Sequence, residues 1–226
     1  MLTLHIGNKN YSSWSMRPWV LMRQAGIDFH EQLVRFDSFE PDSRFKQAAL
    51  RLSPTGKVPV LDDDGLLIWD TLAIAEYLAE RFPGLNLWPA DARQRAHARS
   101  VCAEIHSGFG ALRKHFPMNI EASLPEVGPR VLREHPAVAA DVARIQALWQ
   151  DLLARHQGPL LFGAFSIADA FFAPVVTRLK TYAVPVSADV ARYMDAVLQL
   201  AAMREWTAQA LDEHDFRPFE EPYRTR

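Results

Sequence analysis

Residues 53–61 read Ser53-Pro54-Thr55-Gly56-Lys57-Val58-Pro59-Val60-Leu61, and Asp62-Asp63-Asp64-Gly65 and Leu66-Leu67-Ile68-Trp69-Asp70-Thr71 follow without a break. A proline enters an apolar strand, an acidic turn leads into a second apolar strand, and a polar pair opens a helix. Proline has no N–H to give to a sheet ladder, so its place here needs a reason. Two readings of Pro59 stand open. One is a trans proline at a strand edge, the ordinary state of X-Pro bonds. The other is a cis Val58–Pro59 bond, which would leave the backbone of Val58 facing outward, where an extended peptide ligand could pair with it.

Working outward, Leu2, Leu4 and Ile6 alternate with Thr3 and His5, a half-buried strand. A polar loop over Gly7 to Tyr11 leads to a helix that buries Trp19, Val20, Met22 and Ala25 and stops at Gly26. Proline is tolerated only in the first turn of a helix, so Pro18 predicts Ser15 as N-cap, with Ser12 and Ser13 in the loop before it. Residues 29–35 read as a second strand and 43–50 as a short helix. The quoted stretch is a hairpin, and a helix runs from Thr71 to about Arg81 before Pro83-Gly84 ends it. The order is β-α-β-α-β-β-α.

The strand signal then vanishes. Helices are predicted over 91–115, 137–157, 167–181, 187–200 and 203–213, with a broken segment over 117–136 and a charged, aromatic tail from Asp215 that wraps the surface or frays. The expected division is a first domain over 1–83, a linker over 84–90 and a helical domain over 91–226.

The chain has 226 residues, 49% of them apolar, enough for a substantial core. A net charge of −2 gives no electrostatic case for nucleic acid or an anionic membrane surface. The single cysteine, Cys102, excludes an internal disulfide and points to a reducing compartment. The N-terminus has no basic region ahead of a long apolar run, and no stretch reaches a membrane span. The expected location is cytoplasmic. No His, Cys or carboxylate cluster has metal-ligand spacing; His97, His106 and His115 lie nine residues apart.

The unit Ser53-Pro54-x-Gly56-Lys57-Val58-Pro59-Val60-Leu61, with Asp70-Thr71-Leu72-Ala73-Ile74-x-Glu76-Tyr77-Leu78 behind it, resembles the cytosolic glutathione transferase family. An independent mark lies at Gly163-Ala164-Phe165-Ser166-Ile167-Ala168-Asp169, where Ser166-x-x-Asp169 is a capping box opening an apolar helix. The resemblance implies an α/β plus all-α fold, with a thioredoxin-like domain binding glutathione beside a helical domain binding an electrophile. It also implies a homodimer, a cis Val58–Pro59 bond and backbone pairing of Val58 with the cysteinyl part of glutathione. Asp70 and Thr71 match the family's acid–hydroxyl pair for the γ-glutamyl end. Thr71 and the first amides of its helix suit a carboxylate, and Asp70 suits an ammonium. Either residue alone can equally be a helix cap.

Such an enzyme must ionise a thiol whose ordinary pKa is about 8.5. A hydrogen bond donated to sulfur does this. The loop Asn10-Tyr11-Ser12-Ser13-Trp14-Ser15-Met16-Arg17 supplies the hydroxyls and resembles the Ser-Ser-Cys-Ser segment of the zeta class, with Trp14 in place of the cysteine. The candidates rank Ser13, Ser12, then Tyr11, with Ser15 last because capping occupies its hydroxyl; a merely polar loop is the alternative. Lys57 is a candidate for the glycyl carboxylate, and Ser15, Val58 and Pro59 complete the glutathione-binding set. Arg17 reads as a structural ion-pair partner, Cys102 as a buried thiol and Asp169 as a folding device. Candidate walls of the electrophile pocket are His106, Phe109, Gly110, Arg113, Phe172 and Arg178. The leading expectation is conjugation of glutathione to hydrophobic electrophiles. The alternatives are glutathione-dependent isomerisation of the maleylacetoacetate type and a non-catalytic binding protein. Cysteine-type redox chemistry is disfavoured because the loop carries no cysteine.

Overall fold

The computed structural model describes residues 1–225. Strand β1 (Leu2–Ile6) is central because Leu2, Leu4 and Ile6 all bury on one face. It pairs in parallel with β2 (His30–Leu33) and antiparallel with β3 (Val60–Asp63), and β3 pairs antiparallel with β4 (Leu66–Trp69). The sheet order is β2-β1-β3-β4. Leu61 stands opposite both Leu4 and Ile68, so the quoted hairpin seats its apolar residues on the sheet's core face. At the turn, Gly65 takes φ +97° and donates its amide to Asp62 Oδ1 at 2.7 Å. The Val58–Pro59 bond is cis.

Three helices accompany the sheet: α1 (Ser13–Gln24), α2 (Arg44–Leu52) and α3 (Thr71–Arg81). The start of α1 corrects the sequence reading. The helix opens at Ser13 with Ser12 as N-cap, which places Pro18 inside it. The carbonyl of Trp14 thereby loses its usual i+4 amide. Burial compensates, because Trp19, Val20, Leu21 and Met22 are all fully buried. Ser15 is not the cap; its buried hydroxyl oxygen accepts from the Gly7 amide at 3.1 Å and from the Ser12 hydroxyl at 2.7 Å.

The second half is helical: α4 (Ala92–Ser107), α5 (Gly110–His115), α6 (Val127–Glu134), α7 (Pro136–His156), α8 (Ile167–Thr181), α9 (Ala188–Leu198) and α10 (Ala201–Asp212). The single helix expected over 91–115 breaks at Gly108 and Phe109, the latter at φ +57°, which no α-helix accommodates. Residues 127–134 form α6 within the segment expected to be broken. Helix α8 is buried over almost its whole length and packs on α1 and α4. Its capping box is formed: Asp169 accepts from the amides of Ser166 (3.0 Å) and Leu161 (3.1 Å) while Ser166 Oγ accepts from the Ala168 amide at 3.3 Å. Burial raises the Asp169 carboxyl to about 6 in spite of these donors.

The tail wraps rather than frays. Glu221 accepts from the Tyr11 hydroxyl at 2.7 Å and from Asn119 Nδ2 at 2.8 Å. Phe219 packs edge-on against Phe39, with ring centroids 5.1 Å apart. The chain thus folds as a small mixed sheet with helices, followed by a helical half. Among the described residues no helix is long and apolar enough to cross a membrane.

Candidate active site

A cleft of about 820 Å³ lies between the two halves. The β-containing half contributes Tyr11 and Ser12 from the loop entering α1, Ser13 and Trp14 from the first turn of α1, Lys57 to Pro59 from the proline turn, and Asp70 with Thr71 at the start of α3. The helical half contributes His106, Arg113 and Arg178, and the tail contributes Glu220.

Val58 lies at the edge of the cleft, and among the described residues neither its amide nor its carbonyl is hydrogen-bonded. It therefore offers one donor and one acceptor to an extended ligand. Thr71 is buried at the N-terminus of α3, with Oγ1 3.5 Å from His106 Nδ1 and 3.5 Å from Arg17 Nη1. Asp70 caps α3 through the Leu72 amide at 2.8 Å, the simple capping role weighed above. Its other oxygen lies 3.2 Å from His106 Nε2. Burial lowers the His106 pKa against the pull of Asp70.

The four hydroxyls of the loop separate sharply. Tyr11 points its hydroxyl into the tail, donating to Glu221 and accepting from the Arg217 amide at 3.1 Å. Burial pushes its pKa up to about 12. Ser12 donates to Ser15, and Ser15 lies behind the cleft wall rather than on it. Of the three loop hydroxyls that line the cleft, only Ser13 keeps an uncommitted proton: its oxygen accepts from Arg178 Nη2 at 3.0 Å, and no acceptor for its own hydrogen occurs among the described residues.

Arg17 departs from expectation. It makes no ion pair among the described residues, because no carboxylate comes within reach; its guanidinium stacks over Trp14 at 4.2 Å and Phe171 at 4.9 Å. Burial, then the charges of Arg178 and Arg113, lower its pKa to about 9. Phe109, Gly110 and Phe172 do not line the cleft; Phe172 packs on Trp149 in the core. Cys102 is fully buried, which raises its thiol pKa.

Sequence reasoning missed several contributors, among them Lys46, Phe39, Lys114, Pro117, Met118 and Glu220. Lys46 on α2 lines the cleft beside Lys57 and donates to the Gly56 carbonyl at 3.2 Å. Phe39 comes from an irregular loop with no periodic signal. Glu220 comes from the tail, and burial raises its carboxyl to about 7 even with Arg178 nearby. Only the paired aromatic and acidic residues Phe219-Glu220-Glu221 hinted that the tail had an anchored surface.

An open backbone pair on an extended segment, a helix N-terminus and an uncommitted hydroxyl lie together in one cleft, where an extended peptide with an anionic end could be held between a sheet-containing half and a helical half. Comparisons with known proteins agree. The profile for "Glutathione S-transferase, N-terminal domain" matches residues 11–81 and that for "Glutathione S-transferase, C-terminal domain" matches residues 91–209. The chain belongs to the glutathione S-transferase family. It is similar to maleylacetoacetate isomerase of Rattus norvegicus, 30% identical over 78% of each chain. A zeta class glutathione S-transferase of Euphorbia esula is 26% identical over 73% of this chain and 71% of the relative. Other curated relatives are spanned over only 45% to 63% of their length. A glutathione transferase homolog from Burkholderia, solved with bound glutathione, superposes with a TM-score of 0.69 at 26% identity, covering 93% of this chain and 98% of that one.

Proposed function

We propose that the protein binds glutathione, ionises its thiol beside Ser13 and transfers the sulfur to a hydrophobic electrophile. The carrying observation is the Ser13 hydroxyl, which accepts from Arg178 and has its own hydrogen free for a sulfur in the cleft. The unpaired backbone of Val58 suits the cysteinyl peptide unit. Thr71 and the start of α3 suit the γ-glutamyl carboxylate, and Asp70 its ammonium. Lys57 and Lys46 suit the glycyl carboxylate. The Burkholderia homolog with bound glutathione supports the same ligand. In this reading Ser12 and Ser15 shape the loop, Tyr11 anchors the tail, and the electrophile lies against Trp14, Met118 and Pro117.

The division proposed is 1–83 for the glutathione-binding domain, 84–90 for the linker and 91–226 for the helical domain. The assembly is a homodimer, for which the exposed Leu66 on edge strand β4 offers apolar surface. Glutathione-dependent isomerisation is the second reading, favoured by the rat relative's name and coverage. Titration calorimetry with glutathione tests the common step, with Thr71→Ala expected to weaken binding about tenfold through loss of one charge-assisted hydrogen bond. No heat at millimolar glutathione would defeat both readings. Assay with an aryl halide and with a cis-configured diketo acid then separates conjugation from isomerisation.

A further inference from the structure

We propose that Arg178 is a positioning residue for the reacting thiol: it holds the Ser13 hydroxyl with its proton turned into the cleft and, with Arg113 on the cleft wall and Arg17 buried behind it, gathers positive charge that keeps the sulfur as thiolate. The inference rests on the function proposed above and deepens it.

A guanidinium can only donate, so the 3.0 Å contact makes the Ser13 oxygen the acceptor and leaves its single hydrogen to point elsewhere. Arg178 is itself fixed. Its Nε donates to the Phe116 carbonyl at 2.8 Å and Nη1 to the Pro174 carbonyl at 3.3 Å. The rigid planar fork then directs Nη2 at Ser13, tying α8 to the first residue of α1.

No carboxylate pairs directly with the charge around this contact among the described residues. Arg178 and Arg17 are 5% and 4% exposed, and neither they nor Arg113 enters an ion pair among the described residues. Arg17 Nη2 and Arg113 Nη1 converge on one carbonyl, that of Ile105, at 3.5 and 3.4 Å. Arg17 Nε is buried with no partner at all. Burial and then the charge of Arg113 lower the Arg178 pKa to about 10. Gathered buried cations are costly unless an anion joins them. The facing carboxylates do not fill that role. Asp70 is held by His106 and the α3 amide, and Glu220 carries a proton part of the time near neutrality because its pKa is raised. Asp141 on α7 draws on Arg113 without pairing with it and accepts from the Leu112 amide at 2.9 Å. Lys57, Lys46 and Lys114 add further positive charge at the rim. In the step inferred, the S–H bond of glutathione breaks, the proton leaves to solvent, and the electron pair stays on sulfur for attack on the electrophile.

The test is ultraviolet titration of the bound thiolate near 240 nm in wild type, Arg178→Gln, Arg178→Lys and Ser13→Ala. Arg178→Gln should raise the apparent thiol pKa by about one to two units. Arg178→Lys, which keeps the charge and loses the fork, should restore part of that shift. Because Arg178 acts partly through Ser13, the double variant should shift the pKa by less than the sum of the two. A purely structural arginine would lower the melting temperature and leave the thiol pKa at its wild-type value in protein still folded at the assay temperature. That result overturns the inference. So does loss of turnover only toward carboxylate-bearing electrophiles, which would make Arg178 a substrate-binding group. If Ser13→Ala is silent as well, the assignment of Ser13 fails; if Arg178→Gln alone is silent, only the present inference fails.

Discussion

On the function proposed, replacing Ser13 by alanine removes the one cleft-lining loop hydroxyl whose proton is free for sulfur. The hydrogen bond lost is one to a charged acceptor, worth about 1.5–3 kcal/mol. At 1.36 kcal/mol per unit, the bound thiol pKa should rise by about one to two units. With a bound thiol near 6.5, two units below the free value, the variant would titrate between about 7.5 and 8.5. The sign follows directly. Thiolate is the reactive form, so the loss is greatest at low pH and fades as pH rises through the raised pKa. At about pH 6.5 the thiolate fraction falls from one half to between a tenth and a hundredth, a loss of kcat/KM of roughly 5- to 50-fold. At about pH 9.5 the two enzymes should differ by less than about twofold. The assay is kcat/KM toward a neutral aryl halide across that range at saturating glutathione. A loss of equal size at every pH would mean that Ser13 serves geometry rather than ionisation, and an unaltered profile would remove it from the chemistry.

Tyr11→Phe should leave the bound thiol pKa unchanged and lower the melting temperature by about 2–6 °C, since the hydroxyl bridges Glu221 and the Arg217 amide; a thiol shift as large as that of Ser13→Ala would instead make Tyr11 the sulfur's donor. Asp169→Ala strands two buried amides, those of Ser166 and Leu161, so calorimetry should find about 3–5 kcal/mol lost and a melting temperature lower by about 10 °C. A change below about 1 kcal/mol would contradict the capping-box account. Gly128→Ala places a methyl group 2.0 Å from the Tyr182 carbonyl oxygen, a backbone atom that cannot yield cheaply, and should cost about 2 kcal/mol or more in urea unfolding. Cys102 should resist iodoacetamide until the chain unfolds, because its thiol is buried and its pKa raised; rapid native alkylation would refute that.

The legible parts of the fold are those where local chemistry and tertiary structure agree. The hairpin, the capping box and the switch to helices all rest on short-range patterns: alternation, a turn glycine, a serine three residues before an acid. The start of α1 was misread because the proline rule is a local cost, and the burial of Trp19, Val20, Leu21 and Met22 overrode it. The break at Phe109 could not be foreseen either, since Gly108-Phe109-Gly110 fits a helical pattern at some cost and nothing local demands φ +57°. In the site, Val58, Thr71 and Asp70 were legible because they lie within one motif. Arg178 was legible only as a wall and Glu220 not at all. Their roles depend on long-range packing, Arg178 reaching Ser13 across 165 residues and the tail returning over 210 to meet Tyr11.

That distance bears on how the two halves share the chemistry. The β-containing half presents what the peptide needs: an open backbone, a helix N-terminus and a hydroxyl. It brings no buried cation to the cleft wall among the described residues, since Arg17 of α1 is buried behind that wall and Lys46 and Lys57 stand at the rim. Arg178 and Arg113 come from the helical half, as does the carbonyl of Ile105 that holds two of the three guanidinium groups. The break after α4 makes this convergence possible. A continuous helix through Phe109 would carry Arg113 along the α4 axis, about 1.5 Å further per residue, away from the Ile105 carbonyl. The strained Phe109 is therefore best understood as the cost of bringing α5 back over the cleft. Forcing helix at that joint, by Gly108→Ala with Gly110→Ala, should weaken thiolate formation while leaving glutathione's backbone contacts intact. Titration of the thiol and calorimetry on the same variant would separate these effects, and an unchanged thiol pKa would break the link between the joint and the charge.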